Sequence, residues 1–273
     1  MKLLITGGLG NLGLWLTHFF LDRGSYVTVI GRSESVIIER GNYKFVQCDI
    51  TSQESLEASI IGYYDFCIHA ASYNEHFAPG YTSQALSINS LGTDNLCEAL
   101  LKYGVGKLIY LSTFHVYGAS SGLITELSEV SPVNDYGLTH YFAEKYIQKK
   151  SRTRGLKYCI LRLTNAYGCP KDVNTNKWYL VLNDLCHTAF FKKIIILNGN
   201  GKSSRDFIWM GDVVAAISSV MNEPECNNIY NLSSRKSLSI LFVANLVKKA
   251  YNDFFNKDLK IDTSPSDKTE RAE

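Results

Sequence analysis

Thr6-Gly7-Gly8-Leu9-Gly10-Asn11-Leu12-Gly13 follows the apolar run Leu3–Ile5 directly and opens a stretch in which Leu12, Leu16, Phe19 and Phe20 recur at helical spacing. A strand, a glycine turn and a helix start thus succeed one another in one short segment. Gly7 allows the tight turn, Gly10 lets backbone N–H groups approach an anion, and Gly13 removes a side chain where helix and strand must pack closely. The spacing is G-x-x-G-x-x-G, so its meaning comes from the flanking strand and helix. The phosphates of a dinucleotide are expected here, held by Gly7, Gly10, Asn11, Leu12 and Gly13.

Working outward, further short β-rich apolar runs occur at Val27–Ile30, Lys44–Gln47, Phe66–His69, Leu108–Leu111 and Tyr158–Leu163. Near-continuous apolarity implies strands covered on both faces, hence a parallel sheet. Helical patterns fill most of the gaps, including Leu86–Tyr103 and the segment starting near Tyr136. This alternation predicts an α/β fold, a doubly wound parallel sheet of the Rossmann type. Ligands of such sheets lie at the carboxyl ends of the strands. There the chain collects the glycine turn, Asp49-Ile50, Ala70-Ala71-Ser72, Ser112-Thr113 and Asn165, of which Asp49, Ile50, Ala70, Ala71 and Ser112 are expected to line the coenzyme.

After about Gly168 the pattern becomes irregular, with a turn at Gly199-Asn200-Gly201 and helices expected at Gly211–Met221 and Ser237–Tyr251. A short strand is expected at Leu259–Ile261, ahead of a polar end from Thr263 to Glu273. We therefore expect residues 1–168, joined by about 206–232, to form the dinucleotide-binding domain. Residues 169–205 and 233–273 are expected to form a smaller mixed substrate lobe.

The bulk composition narrows the function classes. A net charge of +2 gives no electrostatic footprint for nucleic acid, and no basic run suggests a membrane surface. No apolar stretch reaches the ~18 residues of a membrane span, and no signal peptide is expected, since Met1-Lys2 enters the first apolar run at once. Seven cysteines without C-x-x-C spacing read as reduced thiols of a cytoplasmic protein, and no metal site is expected.

Tyr136 and His140 stand four apart at a helix start and so share a face, on which Thr113 could converge. A hydroxyl, a tyrosine and a basic partner beside a dinucleotide suggest hydride transfer at a carbinol or ketone, with the tyrosine moving the hydroxyl proton.

With these residues in hand, the chain resembles the extended short-chain dehydrogenases/reductases, specifically the NAD-dependent epimerase/dehydratase group acting on nucleotide sugars. Asp49-Ile50 looks like that family's adenine-contacting pair, and Asn89 with Gly92-Thr93 matches its N-x-x-G-T helix, a resemblance that puts Asn89 among the residues expected at the coenzyme. Ser112-Thr113-Phe114-His115-Val116-Tyr117-Gly118 matches S-[ST]-x-x-V-Y-G. The resemblance implies that Thr113 is the catalytic hydroxyl and Tyr136 the catalytic tyrosine. Leu161-Arg162-Leu163-Thr164-Asn165-Ala166-Tyr167-Gly168 is similar to L-R-x-x-N-x-Y-G, and Arg205-Asp206-Phe207-Ile208 with Gly211-Asp212-Val213 to R-D-[FY]-I-x-x-x-D-V. By resemblance Asn165, Arg205 and Arg271 would hold a substrate diphosphate, for which a guanidinium fork is suited.

Three departures bear on the chemistry. The family's Y-x-x-x-K lysine is His140 here, and lowering a phenol from pKa ~10 toward ~7 is worth about 4 kcal/mol, which a permanent cation supplies more readily than an imidazole. Tyr141 and Lys145 repeat the spacing five residues later, on a different helix face, and Lys145 is expected to face solvent. Where the second strand usually ends in a ribose-binding acid, this chain has Gly31-Arg32-Ser33, so Arg32 and Ser33 would tolerate or prefer a 2′-phosphate. NADP is accordingly favoured over NAD. Finally, the dehydratases' Asp-Glu after the catalytic threonine is replaced by Phe114-His115, which leaves epimerisation at C4 or keto-sugar reduction ahead of dehydration.

The expected enzyme is thus an NAD(P)-dependent nucleotide-sugar epimerase or keto-sugar reductase, with a nucleoside-diphosphate sugar as substrate and His140 orienting the tyrosine. The resemblance implies a homodimer through helices including those beginning near Leu86 and Tyr136. The alternatives are a non-catalytic NAD(P)-binding sensor or assembly subunit that lost the lysine, and a carbonyl reductase of small ketones.

Overall fold

The computed structural model describes residues 1–74, 80–119, 121–175, 177–224 and 227–263. These divide into two compact units, Met1–Leu163 with Asp212–Leu232, and Thr164–Gly211 with the residues from Ser233 onward. Arg271 and Cys226 lie outside the described residues.

The first unit is built on seven parallel strands: β1 (Lys2–Thr6), β2 (Tyr26–Gly31), β3 (Tyr43–Gln47), β4 (Tyr64–His69), β5 (Val105–Thr113), β6 (Tyr158–Leu163) and β10 (Asn228–Leu232). Their order is β10-β6-β5-β4-β1-β2-β3, so strand order reverses between β1 and β4. Leu3, Leu4 and Ile5 of β1 are fully buried, as a central strand covered on both faces requires. The seventh strand, β10, pairs in parallel with β6 and has no counterpart among the apolar runs read from the sequence.

Helices α1 (Asn11–Asp22), α2 (Gln53–Ser59), α3 (Tyr81–Ala85), α4 (Gly92–Tyr103) and α5 (Asp135–Arg154) supply the crossovers. The Ser52 side chain caps α2 and that of Asn134 caps α5, and Gly155, left-handed at φ 74°, stops α5. The helix expected over Leu86–Tyr103 is interrupted: residues Leu86–Leu91 form a π turn ahead of α4. Such widened turns recur at functional sites, and this one presents Asn89 inward.

In the second unit, β7 (Asn165–Tyr167) pairs with β9 (Ser204–Trp209), which also takes β11 (Ser237–Ser239) in antiparallel register. Because β7 pairs with β9, residues 164–168 and 206–211 cluster here and not with the dinucleotide-binding sheet as the sequence suggested. Helices α6 (Val181–Lys192) and α8 (Ile240–Phe255) pack over this sheet and over the parallel pair β8 (Ile194–Leu197) and β12 (Lys260–Thr263). α7 (Met210–Asn222) leads back to the first unit. The helix expected from Ser237 begins only at Ile240, since Ser237–Ser239 is committed to β9 and the Ser239 hydroxyl caps the helix by accepting from Phe242 N–H at 3.1 Å. Buried Leu259 precedes β12, which moves that strand one residue later than expected.

Candidate active site

At the β1–α1 turn, Gly7 has φ 67°, and a Cβ there would lie 2.8 Å from the backbone of Ala71. A Cβ on Gly13 would lie 2.0 Å from the Gly7 carbonyl oxygen. Gly7 is thus demanded by conformation and by contact, and Gly13 by contact. Gly8, which sequence reasoning passed over, is equally constrained, with a virtual Cβ 2.6 Å from Val29. No side chain caps α1, so the N–H groups of its first turn are left for a ligand, and the buried Asn11 Oδ1 beside them has no hydrogen-bond partner. The cradle fits a dinucleotide's pyrophosphate. Gly13→Ala is expected to weaken NAD(P) binding at least ~10-fold and to cost ~1–3 kcal/mol of stability, read by fluorescence titration and denaturant melts. An unaltered affinity would remove the cradle from the argument.

Toward the adenosine end, Arg32 and Ser33 are exposed just past β2, and Asp49 follows β3. The Thr51 backbone N–H, then the Thr51 hydroxyl, bond the Asp49 carboxylate and hold its pKa below the usual value, with Arg32 adding a smaller push. Ile50 is buried against Gly92, where even a methyl group would press on it at 3.0 Å.

Below the turn lies a chain of neutral hydrogen bonds that sequence alone did not disclose. The Ala71 N–H donates to the Thr6 hydroxyl (3.2 Å), which donates to His69 Nδ1 (2.6 Å). His69 Nε2–H donates to the Thr93 hydroxyl (2.9 Å), which donates to the Asn89 carbonyl (2.6 Å). That pattern fixes the Nε2–H tautomer. Asn89, expected at the coenzyme, instead spends its carboxamide on the protein: Oδ1 accepts from Tyr73 N–H (2.7 Å), and Nδ2 donates to the Tyr73 carbonyl (3.0 Å) and the Thr139 hydroxyl (3.1 Å). It shapes the loop after β4 and ties it to α5.

Burial, with His140 nearby, pulls the His69 pKa down to about 3. In an unfolded chain the same imidazole titrates near 6.5. Between those values the unfolded state binds a proton that the folded state refuses, so this contribution is complete above about pH 6.5 and is lost as pH falls. Unfolding free energy should drop by roughly 1.4 kcal/mol per pH unit between pH 6 and 4, and less steeply in His69→Gln. Urea titrations on both proteins check it; parallel slopes would count against a neutral His69.

Thr113 ends β5, and its hydroxyl accepts from His115 N–H (3.2 Å), capping the 3-10 turn Phe114–Tyr117. α5 begins directly on that turn: a Cβ on Gly137 would meet the His115 carbonyl at 2.4 Å, and the Tyr136 ring stands edge-on to the His115 ring at 5.7 Å. Thr113 and Tyr136 therefore both border His115. His140 lies behind Tyr136, rings 4.3 Å apart, and is only 1% exposed. Its Nδ1–H donates to the Tyr136 carbonyl (2.9 Å), and its Nε2 accepts from the Ser72 hydroxyl (3.3 Å). The imidazole is turned into the protein, between that carbonyl and that hydroxyl. Lys145 is exposed and bonds Gln148, as its helix face dictates.

Ser112, expected to line the coenzyme, is 4% exposed and donates its hydroxyl to Glu144 Oε1 (2.6 Å). Glu144 also receives Arg162 Nε (3.0 Å) and Nη2 (2.7 Å), a bidentate pair buried to 1% and 4%. Burial opposes the guanidinium's charge, but the hydrogen bonds and charge of Glu144 outweigh it and hold Arg162 above its usual pKa. Arg162 also lies over the Tyr117 ring at 4.7 Å.

In the second unit, Asn165 Nδ2 donates to the Asp206 carbonyl (2.9 Å), while the exposed Arg205 bonds its neighbour's carbonyl at Ser204 (3.0 Å). The Asp206 carboxylate gathers the Thr164 hydroxyl (2.7 Å), the Ser234 N–H and hydroxyl (2.9 and 3.0 Å) and the Lys236 N–H (3.1 Å). This fastening, another unforeseen feature, fixes the strand from which Arg205 projects.

A doubly wound sheet with a glycine turn at its switch point, and a threonine and a tyrosine that both border His115 two strands away, defines a dinucleotide-dependent enzyme scaffold. The chain belongs to the NAD dependent epimerase/dehydratase family, whose model matches residues 3–233. It is 31% identical to the dTDP-D-glucose 4,6-dehydratase of Dictyostelium discoideum over 89% of this chain and 60% of that protein. The solved UDP-glucose 4-epimerase of Thermotoga maritima, with UDP-glucose, superposes with a TM-score of 0.84 at 24% identity, covering 99% of this chain and 87% of the other. The UDP-glucuronic acid 4-epimerase of Bacillus cereus, in complex with UDP-glucuronic acid and NAD, does so at 0.81 and 20% identity, covering 97% and 86%. Among the described residues no helix is long and apolar enough to cross a membrane.

Proposed function

We propose that this enzyme moves a hydride between a nicotinamide coenzyme and a ring carbon of a nucleoside-diphosphate sugar, C4 in particular, as an epimerase or keto-sugar reductase. The observation that carries the reading is the convergence on one sheet edge: β4 continues into Ala70-Ala71, which closes on Gly7, and β5, paired with β4, ends in Thr113 beside Tyr136. When bound, the coenzyme supplies the hydride acceptor and donor at its nicotinamide ring.

Gly7, Gly10, Asn11, Leu12 and Gly13 would hold the pyrophosphate, Asp49 and Ile50 the adenine, and Arg32 and Ser33 the adenosine ribose. The Arg32 guanidinium, where an acid would repel a 2′-phosphate, supports NADP, while the NAD complex of the Bacillus cereus enzyme supports NAD. Thr113 would hold the reacting oxygen by hydrogen bond and Tyr136 would move its proton. Asn165, Arg205 and Arg271 would take the substrate diphosphate, the guanidinium forks matching phosphoryl oxygens. Phe114-His115 offers no carboxylic acid to expel water from the hexose, which leaves dehydration behind epimerisation and reduction. Free, buried Cys48, Cys67, Cys97 and Cys159 suit a cytosolic setting, and exposed apolar Leu91 and Phe142, beside α4 and on α5, support a homodimer through those helices.

The test is to incubate the protein, with NAD and then NADP, with UDP-, dTDP- and GDP-hexoses and 4-keto-hexoses, following nicotinamide absorbance and product isomers by NMR. One sugar should isomerise or be reduced; coenzyme binding without product from any sugar would end the proposal. The inward-turned His140 favours one rival, a coenzyme-binding module without turnover. Turnover that appears only in His140→Lys would establish that rival.

A further inference from the structure

We propose that Arg235 is a second cation for the substrate's diphosphate, set beside Arg205 by the loop that joins β10 to β11. The inference deepens the nucleotide-sugar reading and rests on it. Among the described residues, those other than glycine with a left-handed φ are Lys193, Asn227, Arg235 and Asn256. Lys193 and Asn256 stop α6 and α8, where such a residue is usual, and asparagine tolerates the conformation wherever it falls. Arg235, at φ 62°, has neither reason to adopt it.

The turn itself has a clear role. The N–H groups of Ser234 (2.9 Å) and Lys236 (3.1 Å), on either side of Arg235, both donate to the Asp206 carboxylate, the concave arrangement that a left-handed residue between two N–H groups produces. Glycine would make that turn without crowding a Cβ against the backbone, so the fold alone favours glycine at this position. What an arginine adds is its guanidinium, and a residue held against its backbone preference points to a ligand.

The surrounding charges agree. Asp206 is the adjacent acid, and its oxygens are taken up by the Thr164 hydroxyl and by Ser234 and Lys236. Among the described residues nothing bonds the exposed Arg235 guanidinium, and Arg205 bonds its neighbour's carbonyl at Ser204. Lys202 and Lys236 are exposed on the same two segments, so cations gather here in a chain whose formal net charge is only +2. All of these residues belong to the second unit. β11 runs antiparallel to β9 with Leu238 opposite Arg205 and Ser237 opposite Asp206. Arg235 therefore lies three positions from the residue facing Arg205, ~10 Å along a strand and ~4.8 Å across the pair, a span that two arginine side chains bridge between them. Each guanidinium offers a fork of N–H donors for two phosphoryl oxygens, and a diphosphate relieves the repulsion between the cations.

Calorimetric titration with UDP, dTDP and inorganic pyrophosphate tests the site without turnover. Arg235→Gly should weaken all three about 10- to 100-fold, and Arg235→Lys should recover part of the loss. Because glycine suits the turn, the same Arg235→Gly change should raise the melting temperature of the ligand-free protein by about 2–4 °C. UDP affinity left unaltered by Arg235→Gly overturns the inference, as does a melting temperature that falls along with affinity, which would make the arginine structural. In the unmutated protein, an arginine-directed dicarbonyl reagent should modify Arg235 less when UDP is bound, read by peptide mass spectrometry. Equal modification with and without UDP overturns the inference whatever the variants do. UDP binding that depends on Arg235 in a protein that turns over no sugar would sink the proposed reaction and leave the site standing. Sugar turnover with UDP affinity indifferent to Arg235 would do the reverse.

Discussion

Replacing Tyr136 with Phe should lower kcat by about 10²- to 10⁴-fold, the usual yield of a positioned proton donor, while coenzyme affinity and melting temperature change little. The selectivity of that loss follows from what holds residue 136. Its backbone carbonyl receives the His140 Nδ1–H, and Gly137 N–H donates to Asn134 Oδ1 at 2.8 Å; neither tie uses the phenol oxygen. Single-turnover kinetics at saturating coenzyme separate the cases. A large drop in coenzyme affinity or melting temperature would make the tyrosine a packing residue and would remove the proposed chemistry with it.

Glu144→Ala should be the most damaging single change to stability, about 3–5 kcal/mol, because it strands the buried Arg162 guanidinium and leaves the Ser112 hydroxyl without its acceptor. The pair itself is not worth that much. Removing both charges together, as Glu144→Leu with Arg162→Met, should recover most of the loss, since a well-packed apolar pair avoids the desolvation cost. Denaturant melts of the single and double variants decide this, and an equally unstable double variant would show that the pair carries net stabilising energy.

The scaffold was legible because its signals are local. Strands buried on both faces wrote themselves as apolar runs, and the glycine turn was readable because conformation and close approach exclude a side chain at Gly7 and close approach excludes one at Gly13. What escaped was whatever depends on distant pairing. β10 carries Asn228, Tyr230 and Asn231 and finds its place only by pairing with β6, and Ser237–Ser239 leaves a helical pattern for β9. The π turn at Leu86–Leu91 leaves no periodic signature. At the site, the expected pair Thr113 and Tyr136 meets at His115, but Asn89 and Ser112 proved to serve protein partners, and the chain from Ala71 through His69 to Asn89 joins residues up to 65 positions apart. No spacing rule foretells such partnerships, because each is decided by which strand ends the sheet order brings side by side.

The tyrosine's helix is secured within the first unit at three levels: by the Asn134 cap, by Asn89 and Ser90 bonding Thr139, and by Glu144 on Arg162. Sugar preference, by contrast, would be written largely in second-unit side chains that share none of those fastenings. Drift in the one can therefore proceed without retuning the other, and a lineage built on this plan is free to change hexoses while inheriting its proton chemistry intact.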